Sequence, residues 1–119
     1  MGFRKLKAYQ KGFELAMTIF EHSKNFPKEE KYALTDQVRR SSRAVCANMS
    51  EAYRKRLYPN HFKSKLTDSD SENSETLCWL QFALACNYIT SEEFKMLEFK
   101  NDEIGKLIRY MINNPEKFS

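Results

Sequence analysis

Glycine and proline are scarce in this chain, and no apolar run is long enough to cross a bilayer. Its 119 residues include three Gly and three Pro. Strand-rich folds need such turn residues every few positions, so their scarcity favours long helices with few connections. Hydrophobic residues make up 41% of the chain and aromatics 13%, which is enough for one packed core. We expect a single domain over residues 1–119 that does not contact a membrane.

The first residues carry charge but lack the apolar stretch of a secretory signal peptide. Position 6 is Leu, where N-terminal myristoylation requires Ser or Thr. A cytoplasmic protein is therefore expected.

The three cysteines, Cys46, Cys78 and Cys86, show no paired spacing. Cys78 and Cys86 are eight residues apart, and the chain lacks the C-x-x-C clusters of structural zinc sites. We interpret all three as small buried hydrophobic side chains in a reducing compartment. No metal and no cofactor are predicted.

Apolar residues at helical intervals predict four helices, at residues 4–24, 35–56, 60–87 and 91–113. Four helices with short connections imply antiparallel neighbours, so the predicted fold is all-α, an antiparallel up-down-up-down four-helix bundle. Thr35, Asn60 and Thr90 are the predicted N-caps of the last three helices. Thr90 is followed three residues later by Glu93, which is the spacing of a capping box.

Each predicted helix carries a stripe of residues expected to face the core. In the first helix the stripe is Leu6, Tyr9, Phe13, Ala16, Met17 and Phe20. In the second it is Val38, Ser42, Val45, Met49 and Ala52, and in the fourth Phe94, Leu97, Ile104, Leu107, Ile108 and Met111. Met17, Met49 and Met111 are interpreted as core fillers. Phe26, just before Pro27, is expected to fold back onto the end of the bundle.

The third predicted helix contains a polar stretch, residues 67–76, which taken alone resembles a linker. The apolar residues on either side share one helical face: Phe62, Leu66, Leu77, Leu80, Ala83 and Leu84. This continuity predicts one helix that passes through the polar stretch.

Basic charge is concentrated in one segment of the chain. The segment from Arg39 to Lys65 contains eight Lys or Arg residues and one acid, Glu51, so its net charge is +7. The net charge of the chain is +4, and the rest of the chain therefore carries −3. Such asymmetry indicates an anionic partner. The candidate nucleic-acid-binding residues are Arg39, Arg40, Arg43, Arg54, Lys55, Arg56, Lys63 and Lys65.

The residue types in this segment suit nucleic acid. Guanidinium groups donate two parallel hydrogen bonds to phosphate and stay charged. Tyr53, Tyr58 and His61 lie between the cations, in positions to stack on unpaired bases. The alternative for Arg54, Lys55 and Arg56 is structural, because cations at the end of a helix stabilise its dipole.

These residues also resemble a known family, the four-helix bundle proteins encoded by intervening sequences within bacterial 23S rRNA genes. The features that carry the resemblance are Phe26-Pro27, Tyr32, Leu34, Gln37, Arg39-Arg40, Asn48, Glu51-Ala52, Phe62, Lys65-Leu66, Glu72, Glu75-Thr76, Trp79-Leu80, Ala83 and Tyr88-Ile89. Family members often carry Ile-Ala-Glu-Gly where this chain has Met49-Ser50-Glu51-Ala52. This departure bears on the subgroup more than on the fold.

A non-enzymatic protein is expected, because the sequence shows no Gly-rich phosphate loop, Ser/His/Asp set or Cys/His pair. Family members are similar to the accessory proteins of diversity-generating retroelements, which form homopentameric barrels and bind nucleic acid and a reverse transcriptase. The resemblance therefore implies that copies of this chain form a ring-like homo-oligomer, by analogy a pentamer. It also implies that the protein binds RNA or DNA, and a reverse transcriptase or another protein. A protein-interaction scaffold that binds no nucleic acid is the alternative.

Acidic side chains in the third helix have two interpretations. The four acids are Asp68, Asp70, Glu72 and Glu75. Asp68 and Glu72 are four residues apart and Glu72 and Glu75 are three apart, which is a spacing that metal ligands can have. Bundle di-metal sites use Glu-x-x-His, however, and no His follows residue 61. Ion pairs with Arg39, Arg40 or Arg43 are the favoured interpretation.

Arg56 and His61 suggest an enzyme alternative. Their spacing matches the Arg-x(4–6)-His pattern of nucleotide-binding helical ribonuclease domains. An RNase would use His61 as acid or base only if a partner held it in place. Trp79, the only tryptophan, is interpreted as packing or subunit interface.

Overall fold

The computed structural model describes residues 2–119, which form four antiparallel helices around one core. They are α1 (Lys7–Ser23), α2 (Asp36–Arg54), α3 (Pro59–Ala85) and α4 (Ser91–Asn113). Each helix packs against the next, and α4 closes the bundle against α1. The molecule measures 44 × 25 × 22 Å, and residues 2–119 contain no strand. The predicted up-down-up-down bundle is confirmed.

Short helical turns fill the ends and one connection. Three are 3-10 turns, at Gly2–Lys5, Lys28–Glu30 and Pro115–Lys117, and one is a π turn at Lys31–Thr35. Every predicted helix boundary lies within about three residues of the observed one, which is the usual accuracy for boundaries. The main difference is at the start, where the backbone at Leu6 is extended and separates the first turn from α1.

The three predicted N-caps have different outcomes. Thr90 is confirmed, because the Glu93 N–H donates to Thr90 Oγ1 (3.0 Å) and the Thr90 N–H donates to Glu93 Oε1 (2.8 Å). The hydrogen bond from the Thr90 N–H lowers the pKa of Glu93. The prediction for Thr35 is wrong, since Thr35 is itself helical and α2 continues directly from the π turn.

The predicted cap at Asn60 is also wrong. Tyr58 holds the extended N-cap position and Pro59 is the first helical residue. Proline suits that position because its fixed φ is helical and its missing N–H would have no partner within the helix. Asn60 therefore lies inside the first turn of α3.

The predicted core face of α1 is partly wrong. Phe13 and Met17 are 53% and 44% exposed, and the residues that face the core are Ala8, Gly12, Leu15, Ala16 and Ile19. Small residues determine which face of α1 is buried, because they let α1 approach α2 closely. A Cβ on Gly12 would lie 3.3 Å from the Cys46 Sγ. The larger side chains are displaced to the outer groove between the two helices.

α3 runs unbroken through its polar stretch, as predicted. Its buried polar side chains find partners across helix boundaries. The Ser69 hydroxyl donates to the Val45 carbonyl oxygen (2.7 Å), and the hydroxyls of Ser41 and Thr76 lie 2.8 Å apart. Buried polar groups are tolerated when they are paired in this way.

The residues that follow α3 pack against the connection between α1 and α2. Asn87 adopts a left-handed conformation (φ 63°), and the Tyr88 N–H donates to the Ala83 carbonyl oxygen (2.9 Å), as in a Schellman cap. Tyr88 then packs on Phe26, with ring centroids 5.6 Å apart, so the predicted return of Phe26 is confirmed. A hydrogen bond from the Tyr88 hydroxyl to Glu30 (2.8 Å) raises the pKa of Tyr88 to about 12.

The cysteines are not uniformly buried. Cys46 is buried, and burial raises the pKa of its thiol to about 11, whereas Cys78 and Cys86 are exposed. The interpretation of all three as buried side chains is therefore wrong for two. Met49 and Met111 fill the core as predicted, and Met17 does not. Among residues 2–119 no helix is both long and apolar enough to cross a membrane.

Candidate nucleic-acid interface

The eight candidate cations divide between two regions along the bundle. Arg39, Arg40 and Arg43 lie on the first half of α2, where Arg39 reaches the last residue of α1. Arg54 lies fifteen residues after Arg39, which corresponds to ~22 Å along a helix. The two groups are therefore separate surfaces.

Arg39 and Arg43 gather around one aromatic ring. The Arg39 Nε donates to the buried Ser23 Oγ (2.7 Å), and its guanidinium carbon lies 4.6 Å from the Phe20 ring centroid. The guanidinium of the more exposed Arg43 lies 5.6 Å from the same ring. Arg39 is thus held in place, and Arg43 presents its charge to solvent.

Arg40 is neutralised by α3. Its Nη1 donates to Glu72 (3.3 Å), and its Nη2 pairs with Glu75, which also accepts from Trp79 Nε1 (3.0 Å). The hydrogen bond to Glu72, followed by the one to Glu75, raises the pKa of Arg40. The predicted pairing of α3 acids with this arginine is confirmed.

The remaining α3 acids also pair. Asp70 lies 3.5 Å from Arg109 of α4, and Lys65 lies 3.3 Å from Glu51 and 3.9 Å from Asp68. Lys65, a candidate cation, therefore has its charge offset by two carboxylates. Residues 2–119 contain no cluster of three or more His, Cys, Asp or Glu in positions that could hold a metal ion.

A second group of cations has no such partners. We call it the basic end, and it consists of Arg4, Lys5, Arg54, Lys55, Arg56 and Lys63. Within the described part of the chain none of the six has a carboxylate within 4 Å. Their charge is therefore available to an anionic ligand.

The up-down topology assembles the basic end. The start of α1, the end of α2 and the start of α3 all lie at the same end of the bundle. Lys5 Nζ lies 5.9 Å from the Tyr53 ring centroid, and the Arg56 guanidinium lies 4.3 Å from it. The Arg56 Nη1 also donates to the Tyr53 carbonyl oxygen (3.1 Å). Tyr53 thus joins cations from two chain segments.

A cleft opens beside Tyr53, between the first turn of the chain and the end of α2. Its volume is about 650 Å³. It is lined by Gly2, Phe3, Ser50, Glu51, Tyr53, Arg54, Lys55 and Arg56. The only acid in this lining is Glu51, which already pairs with Lys65.

Tyr58 and His61 lie beyond the cleft, at the connection from α2 to α3. Their rings meet edge to face with centroids 6.3 Å apart, and both side chains are exposed. Arg56 contacts Tyr53 rather than His61. The structure therefore brings Tyr53, but not His61, into contact with Arg56.

Sequence reasoning missed Phe3, Arg4 and Lys5 as part of this surface. The charges of Arg4 and Lys5 were visible, but the helix predicted from residue 4 placed both residues on α1, far in sequence from the cations of α2. The predicted topology already contained the signal, because in an up-down bundle the start of the first helix lies beside the end of the second.

These features define a class of protein, a small up-down-up-down bundle with a polybasic end. A sequence model of the family described as 23S rRNA-intervening sequence protein matches residues 4–110, and the chain belongs to that family. A crystal structure of a protein of unknown function from the S23 ribosomal protein family of Bacteroides thetaiotaomicron is similar in fold, with a TM-score of 0.81 and 29% identity. The match covers 89% of this chain and 95% of that one. No curated protein matches the chain.

Proposed function

We propose that this protein is a non-enzymatic bundle that binds RNA or DNA through its basic end. The observation that carries the proposal is the convergence of six cations without acidic partners, from separate parts of the described chain, on one end of the molecule. Phosphate contacts by Lys and Arg supply most of the affinity in sequence-independent binding. A cluster of this kind is the electrostatic footprint of such proteins.

Helix stabilisation does not account for the whole cluster. Cations favour the C-terminus of a helix, which suits Arg54 and Lys55, but they are unfavourable near an N-terminus. Lys5 directly precedes Leu6, the N-cap residue of α1. The placement of Lys5 beside a helix N-terminus, with no carboxylate within 4 Å in residues 2–119, is consistent with selection for an anionic ligand.

Charge removal at the basic end tests the proposal. Arg54→Gln with Lys55→Gln should weaken binding to structured RNA and to a DNA duplex, measured by fluorescence anisotropy across a salt series. Each lost phosphate contact should reduce the slope of log affinity against log salt by about 0.9 on duplex DNA. A loss of one to two contacts is expected.

The matched control is Lys28→Gln with Lys31→Gln, which removes the same charge from exposed residues at the opposite end. It should leave the salt slope unchanged. Equal weakening by both double variants would show that net charge, not the basic end, determines binding. An Arg39, Arg40 and Arg43 triple Ala variant should weaken binding less, because Arg40 is already paired with Glu72 and Glu75.

The same proposal includes assembly with other copies of the chain. The resemblance implies a ring-like homo-oligomer, by analogy a pentamer, and a reverse transcriptase or another protein as a further partner. Exposed apolar side chains in the groove between α1 and α2, among them Phe13 and Met17, offer surface for assembly. A scaffold that binds protein alone is the alternative, favoured if neither nucleic acid binds at low salt.

A further inference from the structure

The cleft at the basic end has features that a phosphate-binding surface alone does not need. Binding to duplex phosphates requires only exposed cations. Here a concave site of about 650 Å³ lies among the cations and is walled by two aromatic residues, Phe3 and Tyr53. The cleft is open to solvent, and its volume lies within the range of small-molecule sites.

The Arg56 side chain is held as a flat platform at this cleft. Its guanidinium carbon lies over the Tyr53 ring, 4.3 Å from the ring centroid, and its Nη1 donates to the Tyr53 carbonyl oxygen (3.1 Å). A guanidinium fixed in this way keeps one planar face for a further stacked group. Unpaired bases stack on aromatic rings and on arginine planes in proteins that bind single strands.

Cations surround this platform. Lys5, Arg54 and Lys55 have no carboxylate within 4 Å in residues 2–119, and Glu51, which lines the cleft, is paired with Lys65 at 3.3 Å. The cleft thus presents a planar face and uncompensated positive charge side by side. A nucleotide with an unpaired base matches both, because it carries a π-face and a phosphate. A duplex keeps its bases stacked inside and offers only phosphates.

We propose that this cleft takes one unpaired nucleotide of a single-stranded segment. Its base stacks on the Arg56 guanidinium, and its phosphate lies beside Arg54 and Lys55, the other two cations that line the cleft. The inference rests on the proposed function, and it adds that single strands bind better than duplexes of equal length. RNA and DNA share this chemistry, so either is a ligand.

The test compares single-stranded and duplex oligonucleotides by fluorescence anisotropy at one low salt concentration. Arg56→Lys keeps the charge and removes the planar face. It should weaken single-strand binding about tenfold, within the range of one base–aromatic stack, and change duplex binding less than twofold. The matched control is Arg109→Lys, the same substitution at an arginine that pairs with Asp70 away from the cleft. It should change neither affinity.

A spectroscopic readout separates stacking from general weakening. A single aminopurine base within the oligonucleotide should lose fluorescence when it stacks in the wild-type protein, and should lose less in Arg56→Lys. Circular dichroism melting checks that the variants stay folded. Equal affinities for single strand and duplex, or wild-type single-strand binding by Arg56→Lys, would overturn the inference and leave the proposed function standing. Absence of binding to any nucleic acid would overturn both.

Discussion

At the scale of single residues, Asn73 and Asn101 form a reciprocal amide pair inside the core. The Asn73 Nδ2 donates to the Asn101 carbonyl oxygen (2.9 Å), and the Asn101 Nδ2 donates to the Asn73 carbonyl oxygen (2.8 Å) and Oδ1 (3.0 Å). Both side chains are at least nine-tenths buried. Because a shifted α4 would leave buried amides unpaired, the pair fixes the register of α4 against α3.

Asn101→Ala should therefore destabilise the bundle. It leaves the Asn73 Oδ1 without its donor and opens a small space, so the free energy of unfolding should fall by about 1–3 kcal/mol. Urea denaturation followed by circular dichroism measures the change.

The control is Gln81→Ala, because Gln81 is exposed in the interior of α3. That variant should remain within about 0.5 kcal/mol of the parent. If both variants unfold at the same urea concentration, the amide pair contributes nothing measurable to stability.

At the scale of elements, the contact between α2 and α3 depends on small polar residues. Ser41, Ser69 and Thr76 are fully buried, and each hydroxyl has a hydrogen-bond partner. Small side chains let the two helices approach, and their hydrogen bonds compensate for the loss of water. A helix that looks polar in sequence can therefore have its polar residues in the core.

Ser69→Leu should disrupt this contact. The larger side chain cannot fit at a fully buried position, and the Val45 carbonyl oxygen loses the hydroxyl that donates to it. Overpacking of a close-packed core costs about 1–3 kcal/mol of unfolding free energy, which thermal or urea denaturation would detect.

Ser71→Leu places the same side chain two residues away, on the exposed face of α3. Its stability should stay close to that of the parent. A destabilisation as large as that of Ser69→Leu would mean that overpacking at position 69 does not cause the effect, because leucine is a better helix former than serine.

At the scale of the whole molecule, the apolar groove between α1 and α2 adjoins the basic end. The groove exposes Phe13 and Met17 along the side of the bundle, and it shares Phe3 and Ser50 with the cleft at the basic end. Large exposed apolar patches mark association sites. Assembly through the groove would bring the basic ends of several copies close together, which strengthens nucleic-acid binding through multivalency.

Light scattering after size-exclusion chromatography tests the assembly. The proposed pentamer has a mass of about 70 kDa, from five chains of 14.1 kDa. Phe13→Ser with Met17→Ser should lower this mass, because both substitutions remove apolar area from the groove. A wild-type mass of 14.1 kDa would contradict the proposed oligomer.

The control for that experiment is Phe99→Ser on α4. Phe99 is 70% exposed and is absent from the lining of the groove. It should leave the mass unchanged. If Phe99→Ser lowers the mass and the groove variant does not, assembly uses a different face.

Local patterns in the sequence determined the number of helices, their directions and their ends to within a few residues. Apolar periodicity, Pro27, Pro59 and the Thr90–Glu93 capping box act over a few positions, so they can be read without the fold. The concentration of cations between Arg39 and Lys65 was visible for the same reason, because charge can be counted along the chain.

Only the tertiary structure decided which of these residues act together. The buried face of α1 depends on how closely Gly12 approaches α2, which apolar periodicity cannot measure. Arg40 is neutralised by Glu72 and Glu75, which lie more than thirty positions away in sequence. Lys5, just before the start of α1, lies over the ring of Tyr53 near the end of α2. Packing distances and ion pairs arise between segments that are remote in sequence, so the candidate site exists only once the four helices are assembled.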